Sequence, residues 1–329
     1  MPLLTPSLNE IFSVGKDSFD SLAIKIFHYQ AENNPVYKDY LRYLDINTSG
    51  VNKVSEIPFL PIELFKNHKI LTGKGDSEMV FESSGTTGSV PSMHYVTDLG
   101  IYKKSIELGF RQFFGDPSGY AFLALLPSYF ERKNSSLVHM VQHLMQLSGH
   151  KGNGFYLYEH DKLAEVIKRI SGSGKKIFFI GVSFALLDFA ENYRPDLSAA
   201  IVMETGGMKG KRKELIRPEL HDILKGAFQA GSIMSEYGMA ELLSQAYALQ
   251  DGLFETPPWM NFFVRDVNDP FSYVENGQTG GLNVIDLANV NSCSFVATQD
   301  LGRIMQDGKT EILGRFDNSD MRGCSLMYQ

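Results

Sequence analysis

The sequence predicts an α/β protein built on a mainly parallel sheet, with a β-rich part towards its C-terminal end. Three observations carry that prediction. Short apolar runs at 121–126, 176–180, 200–203 and 231–235 have strand character. Between them, 134–147, 162–170, 184–190 and 213–228 repeat apolar residues at helical spacing. Strand and helix in alternation imply crossover connections, which join parallel neighbours. In the last third the pattern changes to strands at 281–287, 294–298 and 310–313, with Asp307-Gly308 as a turn between two of them.

Taken in order, the chain opens with a helical segment over 1–70. Phe19, Leu22, Ala23, Ile26 and Phe27 recur at three- and four-residue intervals and form one apolar helix face. Pro58 and Pro61 exclude helix until after Pro61, so 57–62 is an extended connector. The remainder, 71–329, divides into an α/β core to about residue 250 and a β-rich subdomain at about 251–329.

Composition bounds the function. Lys and Arg total 31 and Asp and Glu 38, a net charge of −7, which speaks against a nucleic-acid footprint. A hydrophobic fraction of 43% with 21% charged residues belongs to a soluble globular chain and not a disordered one. Two cysteines, Cys293 and Cys324, exclude a disulfide framework. No secretory signal is visible, and the longest apolar run, 177–187, is interrupted by Gly181 and Ser183. A cytoplasmic protein without a membrane span is expected.

Three segments have the composition of a nucleotide site. In Ser83-Ser84-Gly85-Thr86-Thr87-Gly88, two glycines let the backbone approach a ligand, and hydroxyls and amides supply donors for a polyphosphate. The Gly-Lys-Ser/Thr ending of a P-loop is missing, and a flexible surface loop has the same composition. In Ser235-Glu236-Tyr237-Gly238-Met239-Ala240-Glu241, Tyr237 offers a flat face to a purine and Glu241 a carboxylate to a hard cation. The third segment joins Thr298-Gln299-Asp300-Leu301-Gly302-Arg303 to Gly314-Arg315-Phe316-Asp317. An acid after a strand can accept both hydroxyls of a ribose, although a surface hairpin with a solvated ion pair looks the same.

In this order the segments resemble the adenylate-forming superfamily of acyl synthetases and ligases. Leu126-Pro127-Ser128-Tyr129, Glu204-Thr205-Gly206-Gly207-Met208 and the run from Gly314 to Leu326 look like its acyl-protein synthetase (LuxE-type) branch. That branch serves the fatty acid reductase complex of bacterial luminescence. The resemblance covers roughly residue 59 to the C-terminus. It implies the large α/β domain of these enzymes, ATP and Mg²⁺ as cofactors, a fatty or other carboxylic acid as substrate, and an acyl reductase or other acyl-accepting protein as partner. It also implies roles. Ser83, Ser84, Gly85, Thr86, Thr87 and Gly88 would cradle the outer phosphates, and Gly206 and Gly207 would lie against the adenine. Tyr237, with Gly238 beside it, would stack on that adenine. Asp300 would hold the ribose, Arg315 the ribose or phosphate, and Glu241 the Mg²⁺.

Three departures from the superfamily pattern matter. Pro91-Ser92-Met93-His94 stand where a Lys usually follows the phosphate loop, which leaves His94 to supply the lost donor. Ala240 replaces the common Thr before the Glu. Twelve residues follow Asp317, too few for the usual small C-terminal lid with its catalytic Lys. The expected reaction is attack of the carboxylate on the α-phosphorus of ATP, then transfer of the acyl group to a thiolate. Cys324 is the expected acceptor, because Arg322-Gly323-Cys324 matches the branch and a nearby guanidinium favours the thiolate. Cys293, among strand residues, reads as a buried small hydrophobe. A CoA ligase or carrier-loading enzyme on the same fold, or a non-catalytic nucleotide-binding scaffold, are the rival expectations. Two weaker signals have plain readings. His139 and His143, four apart on a helix, are ordinary helix histidines, and Lys209, Lys211, Arg212 and Lys213 form a solvated basic turn.

Overall fold

The computed structural model describes residues 6–84, 90–128, 130–206, 212 and 215–316. Helices α1 (Leu8–Phe12), α2 (Lys16–Asn33) and α3 (Pro35–Tyr43) come first. Ser7 and Glu10 cap α1 reciprocally, and the Asn34 side chain accepts from the Tyr37 amide at the start of α3, where Pro35 has no N–H that needs an acceptor. Phe19, Leu22, Ala23, Ile26 and Phe27 are all buried, as their spacing predicts. The Pro58–Pro61 connector is extended and ends in β1 (Leu60–Pro61), which pairs with a later strand; α4 (Leu64–Asn67) follows.

Strands β2 (Met79–Glu82) and β3 (Met93–Val96) form a separate antiparallel pair, and α5 (Leu99–Phe114) leads into the core. There β4 (Tyr120–Leu125), α6 (Ser136–Ser148), β5 (Gly154–Phe155), α7 (His160–Ser171), β6 (Lys176–Val182), α8 (Ser183–Asn192), β7 (Ile201–Thr205), α9 (Arg217–Phe228) and β8 (Ile233–Tyr237) alternate as expected. Their spatial order is β5-β4-β6-β7-β8, all parallel. Every residue of β4 is buried, as is every residue of β6 except Lys176. Continuous burial of this kind requires cover on both faces, which the crossover helices supply.

The sheet then changes direction. β9 (Ala246–Ala248) runs antiparallel to β8, followed in space by β10 (Leu253–Glu255), β14 (Thr310–Arg315), β13 (Phe295–Ile304), β12 (Gly280–Asp286) and β11 (Met260–Arg265). β13 is twice as long as the 294–298 run suggests, because Gln299 to Ile304 continue the ladder through an irregularity at Leu301/Gly302. Asp300 therefore lies inside a strand and not after one.

Helix α5 is absent from the apolar-periodicity reading. Its buried face is Ile101, Tyr102, Ser105, Ile106, Gly109 and Phe110, so two of its positions carry no apolar side chain. Ser105 instead shares a buried network with Ser244 (Oγ–Oγ 3.0 Å) and the Trp259 indole nitrogen, which lies 3.1 Å from Ser105 Oγ. Among the described residues no helix is long and apolar enough to cross a membrane.

Candidate active site

The parallel strands β7 and β8 point their carboxyl ends at one edge of the sheet, where open α/β sheets generally bind ligands. β7 ends at Thr205 and passes into Gly206, whose φ of 65° is a left-handed conformation suited to glycine. The Gly206 carbonyl accepts from Ser183 Oγ at 2.8 Å. β8 ends at Tyr237, and a β-carbon at the following Gly238 would lie 2.5 Å from Glu236 Oε1. A side chain there would have to displace that buried carboxyl.

Four of the expected residues come together here. The Tyr237 hydroxyl donates to Asp300 Oδ2 at 2.6 Å, and Arg315 Nε lies 3.6 Å from Asp300 Oδ1. Asp300 and Arg315 are register partners across β13 and β14. Glu241 belongs to the same electrostatic group: Arg315 lowers its proton affinity and Asp300 raises it. Asp300 and Glu241 are buried, and burial pushes both carboxyls above the usual carboxylate range, against the pull of Tyr237 on Asp300 and of the Ser92 hydroxyl on Glu241. Burial and the adjacent Asp300 also raise Tyr237 well above the ordinary phenol value, so its hydroxyl stays a donor. The Arg315 side chain is 78% exposed and its pairing with Asp300 is correspondingly weak, which leaves the guanidinium available to a ligand.

The phosphate-loop candidates flank the same region. Ser83 follows β2, and its hydroxyl accepts from the Ser92 amide at 2.9 Å, while its own amide donates to the Ser92 carbonyl at 3.1 Å. These bonds close the base of the loop between β2 and β3. Ser84 is exposed. Gly85, Thr86, Thr87, Gly88, Gly207, Asp317 and Cys324 lie outside the described residues.

His94 has different surroundings from those expected of a phosphate donor. It is buried, packs edge-on against Phe65 with centroids 5.8 Å apart, and places Nδ1 2.8 Å from the Ala240 carbonyl. Burial holds its pKa down at about 4, so the ring is neutral at physiological pH.

Two buried acids of this edge stand inside the Glu204–Met208 and Ser235–Glu241 segments, where the resemblance assigns them no role. Glu204 and Glu236 sit buried in apolar strands, Glu204 as the register partner of Ser235 and Glu236 as that of Thr205. Glu204 accepts from Ser235 Oγ at 2.6 Å and Ser183 Oγ at 3.1 Å, with Arg217 Nε 3.4 Å and His221 Nε2 3.6 Å away; these partners outweigh burial and keep it ionised. Glu236 has the Thr205 hydroxyl and, among the described residues, no paired cation, and burial together with the Glu204 charge raises its pKa to about 7. A single acid interrupting an apolar strand is the signal that could have found them.

The weaker sequence signals resolve locally. His139 Nε2 contacts the Lys133 carbonyl at 3.0 Å, and its ring lies edge-on to Phe81. Of the basic turn, Arg212 is described, and it pairs with Asp188 and Glu191 of α8. Cys293 is a buried free thiol pushed up to about 12 by burial.

No protein-family profile matches the sequence, and no curated protein matches it. Solved structures do match the fold. ATP-bound MatB from Rhodopseudomonas palustris superposes over 74% of this chain and 49% of its own, with a TM-score of 0.55 at 16% identity. An open conformation of 2-hydroxyisobutyryl-CoA ligase in complex with 2-HIB-AMP and CoA superposes over 97% of this chain and 75% of its own, with a TM-score of 0.66 at 12% identity. The same ligase in its thioesterification state covers 96% and 73%, with a TM-score of 0.65 at 14% identity. The fold is that of the large α/β domain of adenylate-forming ligases, and the chain spans about half the length of MatB.

Proposed function

We propose that the protein activates a fatty or other carboxylic acid with ATP and carries the acyl group on Cys324 as a thioester. The convergence of Tyr237, Asp300, Arg315 and Glu241 at the carboxyl edge of β7 and β8 supports this most directly, in a fold whose solved neighbours hold ATP or 2-HIB-AMP. Tyr237 stacks on adenine, with Gly206 and Gly207 as its floor. Asp300, with Arg315 alongside, accepts the ribose hydroxyls. The 83–88 loop donates to the outer phosphates.

Glu241 fits a divalent cation. Its carboxylate is buried, and burial outweighs the Ser92 hydroxyl and Arg315, so the protein alone does not fully compensate its charge. Mg²⁺ takes one or two protein carboxylates and completes its shell from phosphate oxygens and water. When bound it would neutralise charge on the phosphates.

In the first half-reaction a carboxylate oxygen of the acid bonds to the α-phosphorus as the bond to pyrophosphate breaks. The chain's contribution is alignment and donors for the developing negative charge. In the second, the Cys324 thiolate bonds to the acyl carbon and AMP leaves with the electron pair of the broken carbon–oxygen bond. The thioester would then pass to a partner acyl reductase or other acyl acceptor in the cytoplasm.

Acid-dependent exchange of labelled pyrophosphate into ATP tests the first half. Exchange with a fatty acid is expected, and its absence with every acid class, with no AMP formed, would leave a scaffold as the better description. The resemblance to a CoA ligase over 97% of this chain favours a second reading, in which CoA is the acceptor. That enzyme would release acyl-CoA and be indifferent to Cys324→Ala.

A further inference from the structure

The segment that carries Glu241 is held by its backbone carbonyls. The carbonyl of Ala240 lies 2.8 Å from Nδ1 of His94, in β3. The next carbonyl, that of Glu241 itself, accepts from Nδ2 of Asn289 at 2.8 Å. Asn289 closes the helical turn Leu287–Asn289 between β12 and β13. His94 and Asn289 are both buried, and they reach Glu241 from parts of the chain nearly 200 residues apart.

Hydrogen-bond chemistry fixes both side chains in one orientation. A carbonyl oxygen only accepts, so Nδ1 of His94 carries the hydrogen. Asn289 spends its second amide hydrogen on the Cys293 carbonyl at 2.9 Å, and turning the amide round would set an oxygen against two carbonyls. The remaining polar atoms, His94 Nε2 and Asn289 Oδ1, are buried without a well-aligned hydrogen bond among the described residues, although the two side chains lie close enough to influence each other. Native proteins leave few buried polar atoms unmatched. Here two of them are the remaining atoms of the side chains that fix residues 240 and 241.

The support extends outward to α2. Gln30 Nε2 donates to the Val290 carbonyl at 2.9 Å, and its oxygen accepts from the Ser294 amide at 2.9 Å. Asn34 Nδ2 donates to the Ser292 carbonyl at 2.8 Å. The loop that presents Asn289 is thus wired to the N-terminal helices.

We propose that His94 and Asn289 are a pair of positioning residues that aim the Glu241 carboxylate by clamping the two successive carbonyls of residues 240 and 241. The proposal rests on Glu241 as the residue that would hold Mg²⁺. Outer-shell partners of a metal ligand commonly change affinity by about 10- to 100-fold when removed.

The test compares His94→Ala, His94→Asn, His94→Gln and Asn289→Ala in the full-length protein. Asn at 94 returns an amide donor near the Nδ1 position and keeps the bond to Ala240, whereas Gln places its amide near Nε2. Two readouts are taken: Mn²⁺ binding by electron paramagnetic resonance with a non-hydrolysable ATP analogue, and the Mg²⁺ dependence of pyrophosphate exchange. Both alanine variants should raise the half-saturating metal concentration at least ~10-fold, with KM for the acid within about twofold of wild type. His94→Asn should return to within about threefold, and His94→Gln should resemble His94→Ala. Unchanged metal dependence in the alanine variants, equal losses from Asn and Gln, or a parallel rise in acid KM would overturn the clamp. If the alanine variants do not fold, the Asn–Gln contrast alone decides. Wild type that binds Mn²⁺ with the analogue but exchanges no pyrophosphate would remove the proposed function while the binding data still test the clamp. Wild type that binds no Mn²⁺ would overturn both.

Discussion

The Tyr237 hydroxyl and the Asp300 carboxylate are 2.6 Å apart, and that bond joins the end of β8 to the interior of β13. It links the parallel and antiparallel halves of the sheet at the proposed nucleoside site. Asp300 is then shared: one oxygen is engaged by Tyr237, and the other faces Arg315 and the opening.

Tyr237→Phe keeps the ring and removes the donor. Hydrogen bonds to charged groups contribute about 1.5–3 kcal/mol, so a loss of ~2 kcal/mol in stability is expected, together with several-fold weaker ATP binding. Denaturant unfolding and titration with an ATP analogue would measure both. Unchanged values in each would detach this bond from the site.

Glu241→Gln should separate function from folding. Replacing a buried carboxylate that burial already disfavours should leave stability unchanged or raised. Pyrophosphate exchange should fall by at least ~100-fold, the loss typical of removing one group that stabilises transition-state charge. Wild-type exchange at saturating Mg²⁺ would contradict the metal assignment.

Glu236 predicts a pH dependence. Its folded-state pKa is about 7 against an ordinary 4.5, because it is buried beside Glu204. The folded state therefore binds more protons than the unfolded state between those values. The stability contributed by neutral Glu236 is full at low pH and is lost as pH rises through about 7. Glu236→Gln keeps an oxygen for the Thr205 hydroxyl and does not ionise. Relative to wild type it should gain roughly 1.4 kcal/mol for each pH unit between the ordinary carboxylate value and about 7, levelling off above 7. Denaturant midpoints at pH 6 and pH 8 check this; a difference that does not change between them would refute it.

The two cysteines should behave oppositely. Burial raises the Cys293 thiol to about 12, so iodoacetamide should modify it only after denaturation. Cys293→Ala should leave acylation of the protein intact, while Cys324→Ala should abolish it and preserve pyrophosphate exchange. Rapid native modification of Cys293 would contradict its placement.

Much of the core was legible because its signals are local. The apolar runs of β4, β6, β7 and β8 and the helices between them lie within a few residues of their predicted positions, and the Asp307-Gly308 turn joins β13 to β14. The likeness of the Tyr237–Glu241 and Asp300–Arg315 segments to adenylate-forming enzymes led to the right fold class. What escaped depends on contacts distant in sequence. Helix α5 hid because Ser105 and Gly109 occupy its buried face, their environment set by Trp259 and Ser244. Asp300 was placed after a strand because β13 continues through polar Gln299 and Asp300 only by pairing with β12 and β14. His94 was expected to replace the missing phosphate-loop Lys because of its place in the sequence, whereas its burial comes from Phe65 and the 240–241 segment, which are distant in sequence. Asn289 stands in no motif and Glu236, though inside the Ser235–Glu241 segment, has no role there, and only the assembled sheet gives them roles.

Peptide mapping of the acylated protein tests the central claim most directly. The protein is incubated with ATP, Mg²⁺ and labelled fatty acids of several lengths, denatured, and digested for mass spectrometry. The acyl group should appear on the peptide containing Cys324, require ATP, and be released by neutral hydroxylamine as a thioester is. Label on Cys293 or a lysine, or label found only on added CoA, would contradict acyl transfer to Cys324 and favour a CoA ligase.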